Sequence, residues 1–152
     1  MIAELKVFLI AMSPIFELRG SIPVALGVYH LPVWLAFLIS VLGNIVPIVF
    51  ILLLLESVSG YLSRHSRLFS RFFAWLFERT RKKHAKTFEY GRDLALMIFV
   101  AIPMPFTGAW TGALCAFVFG IPFKRAFPAI AGGVVIAGII VTLTTLGIIR
   151  IL

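Results

Sequence analysis

Two ionisable side chains stand in an otherwise apolar stretch near the start of the chain. Glu17 and Arg19 occur in Pro-Ile-Phe-Glu-Leu-Arg-Gly-Ser-Ile-Pro, residues 14–23. A charged group at membrane depth is costly, so it typically marks an ion or substrate site or a paired structural contact. We predict that Glu17 takes up a proton or coordinates a cation, and that Arg19 grips an anionic group or tunes Glu17. A static salt bridge that pins the backbone is the alternative.

The residues around these charges indicate a broken helix. Pro14 and Pro23 bracket the stretch and Gly20 lies within it; each residue type disfavours an uninterrupted helix. A proline leaves a backbone carbonyl unpaired, which a bilayer tolerates only inside protein or beside a wet cavity. Side chains two residues apart share one side of an extended backbone, whereas a helix splays them. An unwound break would therefore pair Glu17 with Arg19.

A second break lies in the other half of the chain, in Pro-Met-Pro-Phe-Thr-Gly-Ala-Trp-Thr-Gly, residues 103–112. It carries no charge, but its prolines also leave carbonyls unpaired, and its spaced glycines permit close backbone approach. We predict that the two breaks meet near mid-membrane around a polar cavity, which the second break closes without ionising. The residues predicted to form this cavity are Pro14, Gly20, Ser21, Pro23, Asn44, Pro103, Pro105, Thr107, Gly108 and Gly112.

No other chemistry is indicated. Hydroxyls in or beside the breaks can bind a ligand, or they can satisfy neighbouring backbone groups instead: Ser13, Ser21, Thr107 and Thr111. No cluster of His, Cys, Asp and Glu has metal-ligand spacing, and no nucleophile with a base, phosphate loop or nucleotide fold is recognisable. The sequence thus predicts neither an enzyme nor a bound metal or cofactor. Cys115 has no second cysteine to pair with and is expected to pack as a small hydrophobe.

The composition is that of an integral membrane protein. Of 152 residues, 61% are hydrophobic and 13% charged, whereas soluble domains are about half apolar and a quarter charged. Residues 33–55 carry no charge and exceed the roughly 20 residues that cross a bilayer. Asn44 within them is expected to face another helix or a cavity, because lipid offers no partner. We predict one all-α, multi-pass domain in the cell membrane over residues 1–152.

The basic charge is concentrated in a linker between the apolar halves, residues 58–92. From Arg64 to Arg92, nine Lys/Arg and two Glu leave a net charge of +7. Such loops stay in the cytoplasm, and beside membrane spans anionic lipid is a better partner than nucleic acid. The pattern predicts an amphipathic interfacial helix with Arg64, Arg67 and Arg71 toward headgroups; a solvated loop is the alternative. Its apolar face comprises Leu62, Phe69, Phe72, Phe73, Leu76 and Phe77.

The two apolar halves resemble each other, so repeat 1 (residues 1–57) and repeat 2 (residues 93–152) are predicted to flank the linker. Matched Gly/Pro breaks in repeated apolar segments point to a transporter-like binding site. The aligned pairs are Gly20 with Gly108, Ala25 with Ala113 and, after a two-residue insertion, Pro32 with Pro122, Ala36 with Ala126 and Gly43 with Gly133.

Each repeat is predicted to combine a re-entrant helical hairpin with one transmembrane helix. The arms beside the first break, residues 5–12 and 24–29, are too short to span separately. A hairpin plus a span crosses once, so the second repeat would be inverted. Lys124 and Arg125 would then join the linker in the cytoplasm, as the charge rule favours. One kinked span per break is the alternative, and it would leave them outside.

The paired motifs also resemble a known family. Phe-Glu-Leu-Arg-Gly-Ser-Ile-Pro with Pro-Met-Pro-Phe-Thr-Gly-Ala-Trp-Thr-Gly is similar to the putative small multi-drug export protein family of bacteria and archaea, over essentially the whole chain. That family is distantly similar to the DedA superfamily, which implies inverted re-entrant hairpins and lipid-carrier flipping or proton-dependent transport. DedA proteins tend to carry ionisable residues near both breaks. The second motif here has none, which argues against a two-carboxylate mechanism.

The resemblance also implies which residues carry the site. Glu17, Arg19, Gly20 and Pro23 match the first motif, and the residues that match the second are Pro103, Pro105, Thr107, Gly108 and Gly112.

These observations predict a small-molecule exporter, coupled to protons or ions through Glu17 with Arg19 as its substrate or counter-ion partner. A flippase or scramblase of an anionic lipid is one alternative, in which Arg19 and the basic linker contact the lipid phosphate group. A non-transporting structural membrane protein is another. The expected partners are membrane lipids and a small-molecule or lipid substrate. The sequence leaves a homo-oligomer open, and nucleic acid is not expected as a partner.

Overall fold

A computed structural model describes residues 1–68, 70–72, 74–75, 86–105 and 107–152, with the backbone alone at 86–90. These residues form helices and no strand, which confirms the all-α prediction. The helices whose first and last residues are defined within this part of the chain are α1 (Ile2–Met12), α2 (Glu17–Gly27), α3 (Val33–His65), α4 (Lys86–Ala101), α5 (Ala109–Val118) and α6 (Phe123–Ile151).

Two short helices precede a long one in each half of the chain. The lengths are 11, 11 and 33 residues for α1 to α3 and 16, 10 and 29 for α4 to α6. Among the described helices, α3 and α6 are long and apolar enough to cross a membrane. The short helices fall below the roughly 20 residues of a span, as predicted for the arms of the breaks.

Both long helices begin directly after a proline that the internal alignment pairs. Pro32 and Pro122 are the N-caps of α3 and α6. Their carbonyls accept hydrogen bonds from the N–H groups of Ala36 at 3.0 Å and Ala126 at 2.8 Å. A proline suits a helix start because its fixed φ is close to helical and its missing N–H would have no partner there.

The linker differs from its prediction at its start. Helix α3 continues ten residues past the apolar run that ends at Leu55 and stops at Ser66, which is extended (φ −135°, ψ 124°). The predicted interfacial helix is therefore interrupted, with Leu62 and Arg64 on α3 and Arg67 and Arg71 beyond the break. Basic side chains in the last turn of α3 favour the longer helix, because they complement its C-terminal dipole.

Much of the predicted apolar face of this linker lies outside the described residues: Phe69, Phe73, Leu76 and Phe77. In the described part, Phe72 and Trp75 are each about half exposed, with ring centroids 6.4 Å apart.

Helices α3 and α6 run antiparallel. A Cβ atom on Gly138 of α6 would lie 2.8 Å from the Phe37 ring, near the start of α3. Further along α3, Glu56 and Ser59 border a cleft of about 150 Å³ that the first residue of α6, Phe123, also lines. Residues near the start of α3 thus contact residues late in α6, and residues near the end of α3 lie beside the start of α6.

In each half, a glycine lets the long helix pack on the backbone of the first short helix. A Cβ atom on Gly43 of α3 would lie 2.7 Å from the Phe8 carbonyl oxygen of α1. One on Gly133 of α6 would lie 2.6 Å from the Met97 carbonyl oxygen of α4. Because no real Cβ fits at such distances, the two aligned glycines have the same role.

The end of the linker lies beside the start of α6. Arg125 Nε donates to Asp93 Oδ2 at 2.8 Å, and Arg92 Nη1 donates to the Phe119 carbonyl at 3.0 Å. From Asp93, within α4, the chain therefore runs to the end of that helix, passes through the second break and α5, and returns to the level of Asp93 at Arg125.

Candidate functional site

The first break is a short turn that aims a carboxylate into the core. Residues 13–16 separate α1 from α2, and Glu17 begins α2 with φ 45°. Few residues other than glycine adopt this left-handed conformation, and it persists where the surrounding structure enforces it. The Glu17 N–H donates to the Ser13 carbonyl at 3.0 Å, while Glu17 itself is only 6% exposed.

The predicted break is present but shorter than expected: the backbone leaves the helix at residues 13–16, and the prediction of unwinding from Glu17 to Pro23 is wrong. Helix α2 starts at Glu17 and continues through Pro23. Proline inside a helix forfeits one hydrogen bond, but α2 buries an apolar face that offsets this loss. That face consists of Leu18, Ile22, Ala25 and Leu26.

Glu17 and Arg19 both line the cavity between the breaks, and Arg19 acts electrostatically on the carboxylate. No ion pair joins them within the described residues, and each contacts the second break instead. The Arg19 Nη2 group donates to the Thr107 carbonyl at 3.3 Å. Two separate contacts between the halves of the chain therefore take the place of the predicted Glu–Arg ion pair.

The Glu17 carboxylate sits at the N-terminus of α5. Its Oε1 atom accepts a long hydrogen bond of 3.4 Å from the Trp110 N–H, and the backbone of Ala109 also acts on it. The N-cap of α5 is Gly108, which has no side chain to satisfy the first N–H groups. An anion here interacts favourably with free N–H groups and with the helix dipole. Glu17 thus caps α5 from another helix.

Gly108 makes room for this contact. A Cβ atom there would collide with the carboxylate of Glu17, lying 2.9 Å from its Cδ. The φ of Gly108 is 148°, which side chains rarely adopt. Both the space and the backbone conformation therefore require glycine at this position.

The Thr107 hydroxyl serves the local backbone. Its single proton is shared within the turn between the Ile102 carbonyl at 2.6 Å and the Met104 carbonyl at 2.9 Å, and its oxygen accepts from the Met104 N–H at 3.1 Å. Of the two roles left open for the hydroxyls, the structure thus gives Thr107 the backbone one. Ser13 acts similarly, accepting from the Ile15 N–H at 3.3 Å.

A small cavity lies between the two breaks. Its volume is about 10 Å³, which is close to the minimum that holds one water molecule. Asn44 is 2% exposed and its Oδ1 has no hydrogen-bond partner among the described residues. The predicted residues that line the cavity are Glu17, Arg19, Asn44, Pro103, Thr107 and Gly108. The space between these side chains therefore has room for about one water molecule.

The other six predicted cavity residues lie elsewhere. Pro14 and Pro105 are exposed at the turns, and Pro23 is carried away from the turn by α2. Gly20 packs on Phe16: a Cβ atom on Gly20 would lie 2.8 Å from the Cβ atom of Phe16.

Ser21 and Gly112 complete these six. Ser21 is fully buried on α2. Gly112 packs on Val100, where a Cβ atom would lie 2.5 Å from Cγ2.

Sequence reasoning missed the apolar cavity wall and the N–H groups of α5. The wall includes Leu18, Val100, Ala109, Val134, Ala137 and Val141, which nothing distinguishes from other apolar residues. The N-terminus of α5 had a signal, because Gly108 directly precedes a short apolar run. In the described part of the chain, no three His, Cys, Asp or Glu residues are placed to hold a metal ion.

Two helices that are long and apolar enough to cross a membrane, with a buried carboxylate beside them, favour a helical membrane protein. A family model described as "Putative small multi-drug export protein" matches residues 17–140. The chain therefore belongs to this family, whose description names export and no enzymatic activity. No curated protein and no solved structure matches the chain. The distant similarity to the DedA superfamily stays a prediction.

Proposed function

We propose that this protein exports a small molecule and couples that movement to protons or another small cation through Glu17. The observation that carries the proposal is the contact between the two breaks. A buried carboxylate from the first break caps α5 in the second, beside a cavity of about 10 Å³. A carboxylate is the one group in this contact whose charge can change, since its partners are backbone N–H groups.

Protonation of Glu17 supplies a physical reason for movement. The charged carboxylate interacts with the α5 dipole by about 0.3–2 kcal/mol, and charge-assisted hydrogen bonds are roughly twice as strong as neutral ones. Neutral Glu17 holds α5 less tightly, so the population shifts toward conformations in which the breaks separate. A substrate site that opens only then would link proton uptake to transport.

The proposed architecture is two inverted repeats, each a re-entrant hairpin plus a transmembrane helix. It is supported by the antiparallel α3 and α6 and by the equivalent packing of Gly43 and Gly133. The Asp93–Arg125 ion pair argues against a kinked span over α4 and α5. Asp93 lies near the start of this segment and Arg125 just after it, and a segment that crossed the bilayer would place them about 30 Å apart. We retain repeat 1 as residues 1–57 and repeat 2 as residues 93–152.

The basic linker, residues 58–92, is proposed to lie in the cytoplasm. Its end at Arg92 shares one side of the molecule with Lys124 and Arg125, so this side is strongly basic. Arg64, Arg67 and Arg71 are exposed and suited to anionic headgroups.

Transport assays of matched variants test the coupling role. Purified protein is reconstituted into liposomes loaded with DNA, and ethidium uptake under an imposed pH gradient is followed by fluorescence. We expect wild type and Glu56→Gln to take up ethidium and Glu17→Gln to fall to the level of protein-free liposomes. Glu56 is the control because it is an exposed carboxylate outside the cavity.

Equal uptake by wild type and Glu17→Gln would reject the coupling role. A second assay, with fluorescently labelled phosphatidylglycerol and no gradient, addresses lipid movement. If wild type moves this lipid and no ethidium, the lipid flippase replaces the exporter.

A further inference from the structure

Among the described residues, the polar side chains that are buried as a whole lie on one side of the cavity. Besides Glu17, those in the described part of the chain are Ser21, Ser40, Asn44, Thr142 and Thr145. The Thr145 hydroxyl donates to the Val141 carbonyl at 2.7 Å, but the side-chain oxygens of the other four have no partner. Each such group costs about 1–3 kcal/mol, and ordered water is the usual means of satisfying it.

Ser21 and Ser40 lie one helical turn beyond the cavity, in the same direction. Ser21 follows Glu17 by four residues on α2, and Ser40 precedes Asn44 by four on α3; residues so spaced share a helix face. Glu17 and Asn44 both line the cavity, while a short connection joins the far ends of α2 and α3. The two helices are therefore antiparallel, and both steps lead toward the end at Pro32.

Thr142 lies toward this same end. It follows Val141, which lines the cavity, and α6 continues from there to Ile151. Because α6 is antiparallel to α3, its C-terminal end lies with the start of α3. This end is opposite the one that carries Arg92, Asp93 and Arg125.

The core between the cavity and the linker side is apolar by contrast. Its buried side chains on α3, α4, α5 and α6 are Ile48, Leu52, Leu96, Val100, Ala113, Ala116, Ala126, Ala129 and Ile130. Close packing adds to this barrier, since Gly112 and Gly133 both press against Val100. The unpaired buried polar atoms on this side, among the described residues, lie at its two ends: Trp110 Nε1 at the start of α5, and Arg92 Nε and Asp93 Oδ1 at the linker end.

We propose that Ser21, Ser40, Asn44 and Thr142 hold a file of ordered water that connects Glu17 with the membrane face opposite the basic linker. Hydroxyl and amide groups both donate and accept, as a chain of waters requires. A proton enters the file as hydronium, each water passes one proton onward, and the last is taken up by the Glu17 carboxylate. The water file is a property of the fold, and only its use for coupling rests on the proposed function.

Silver-ion protection of single cysteines tests this file. In a Cys115→Ala background, cysteine replaces Ser21 or Ser40 on the proposed file and Ala113 or Ala116 on the apolar side. All four positions are 0% exposed and small, so they are matched controls. Ag⁺ is applied to vesicles of either orientation and quenched; the protein is then denatured and free thiols are labelled with a mass tag.

We expect Ag⁺ to protect Ser21→Cys and Ser40→Cys from the tag when it is applied opposite the linker. Ala113→Cys and Ala116→Cys should remain fully tagged. Equal protection of all four, or protection of Ser40→Cys only from the linker side, would overturn the water file. If Ag⁺ protects the cysteines as expected but Glu17→Gln retains wild-type ethidium uptake, the coupling role is rejected and the water file stands. If Ag⁺ protects neither Ser21→Cys nor Ser40→Cys while Glu17→Gln abolishes ethidium uptake, the water file is rejected and the coupling role stands.

Discussion

The two breaks in this chain contribute opposite things to their contact. The first supplies side-chain charge, through Glu17 and Arg19. The second supplies backbone: the Thr107 carbonyl, the Trp110 N–H and the space above Gly108. Backbone groups do not ionise, so a change of protonation at this contact falls on one residue. Two halves with matched helices thus hold a site with a single titratable member.

The largest effect is expected where the second break makes room for the first. Gly108→Ala should destabilise the fold by about 3 kcal/mol, since it adds overpacking to a conformation disfavoured for alanine. Thermal unfolding in detergent measures this loss. Gly147→Ala is the control, because no atom lies within 4 Å of its added Cβ. A similar melting temperature for both variants would contradict the close contact with Glu17.

The next effect compares the two halves directly. Gly43→Ala and Gly133→Ala should each cost about 1–3 kcal/mol, because each inserts a methyl group against a backbone carbonyl. Gly60→Ala, at a position with open space inside α3, should instead raise stability by about 0.5–1 kcal/mol, because alanine favours the helix over glycine. If only one of the two aligned glycines is sensitive in detergent unfolding, the halves do not pack equivalently.

Removing the Thr107 hydroxyl should cost about 1–2 kcal/mol, because its partners in the second break would lose hydrogen bonds. Thr107→Val keeps the shape and shows this loss, whereas Thr107→Ser keeps the hydroxyl and should restore most of it. Equal stability of the valine and serine variants would exclude the backbone role of this hydroxyl.

The smallest expected quantity is the coupling between the two charges of the first break. A double-mutant cycle with Glu17→Gln and Arg19→Met should give about 0.5–1 kcal/mol, because the two side chains share a cavity but form no ion pair. Detergent unfolding of the four proteins provides the values. A coupling above about 1 kcal/mol would restore the static salt bridge.

Much of the architecture could be predicted from the sequence. The short arms and the proline starts of α3 and α6 were visible in the apolar runs, and the contact between the breaks followed from the cost of buried charge and unpaired carbonyls. The unwinding at Pro23 was not correctly predicted, because burial of the α2 face overrides the local effect of proline. The φ of Glu17 was also beyond prediction, since residues other than glycine rarely adopt it and the residue types of the turn give no sign of it.

Hydrogen–deuterium exchange at the start of α5 tests the central claim most directly, namely that the charge on Glu17 holds the two breaks together. Wild type and Glu17→Gln are compared at one pH, so intrinsic exchange rates are the same. We predict faster exchange in Glu17→Gln at residues 109–111, which lack intrahelical partners, and unchanged exchange at residues 135–141 of α6. Unchanged protection at residues 109–111 would contradict the account.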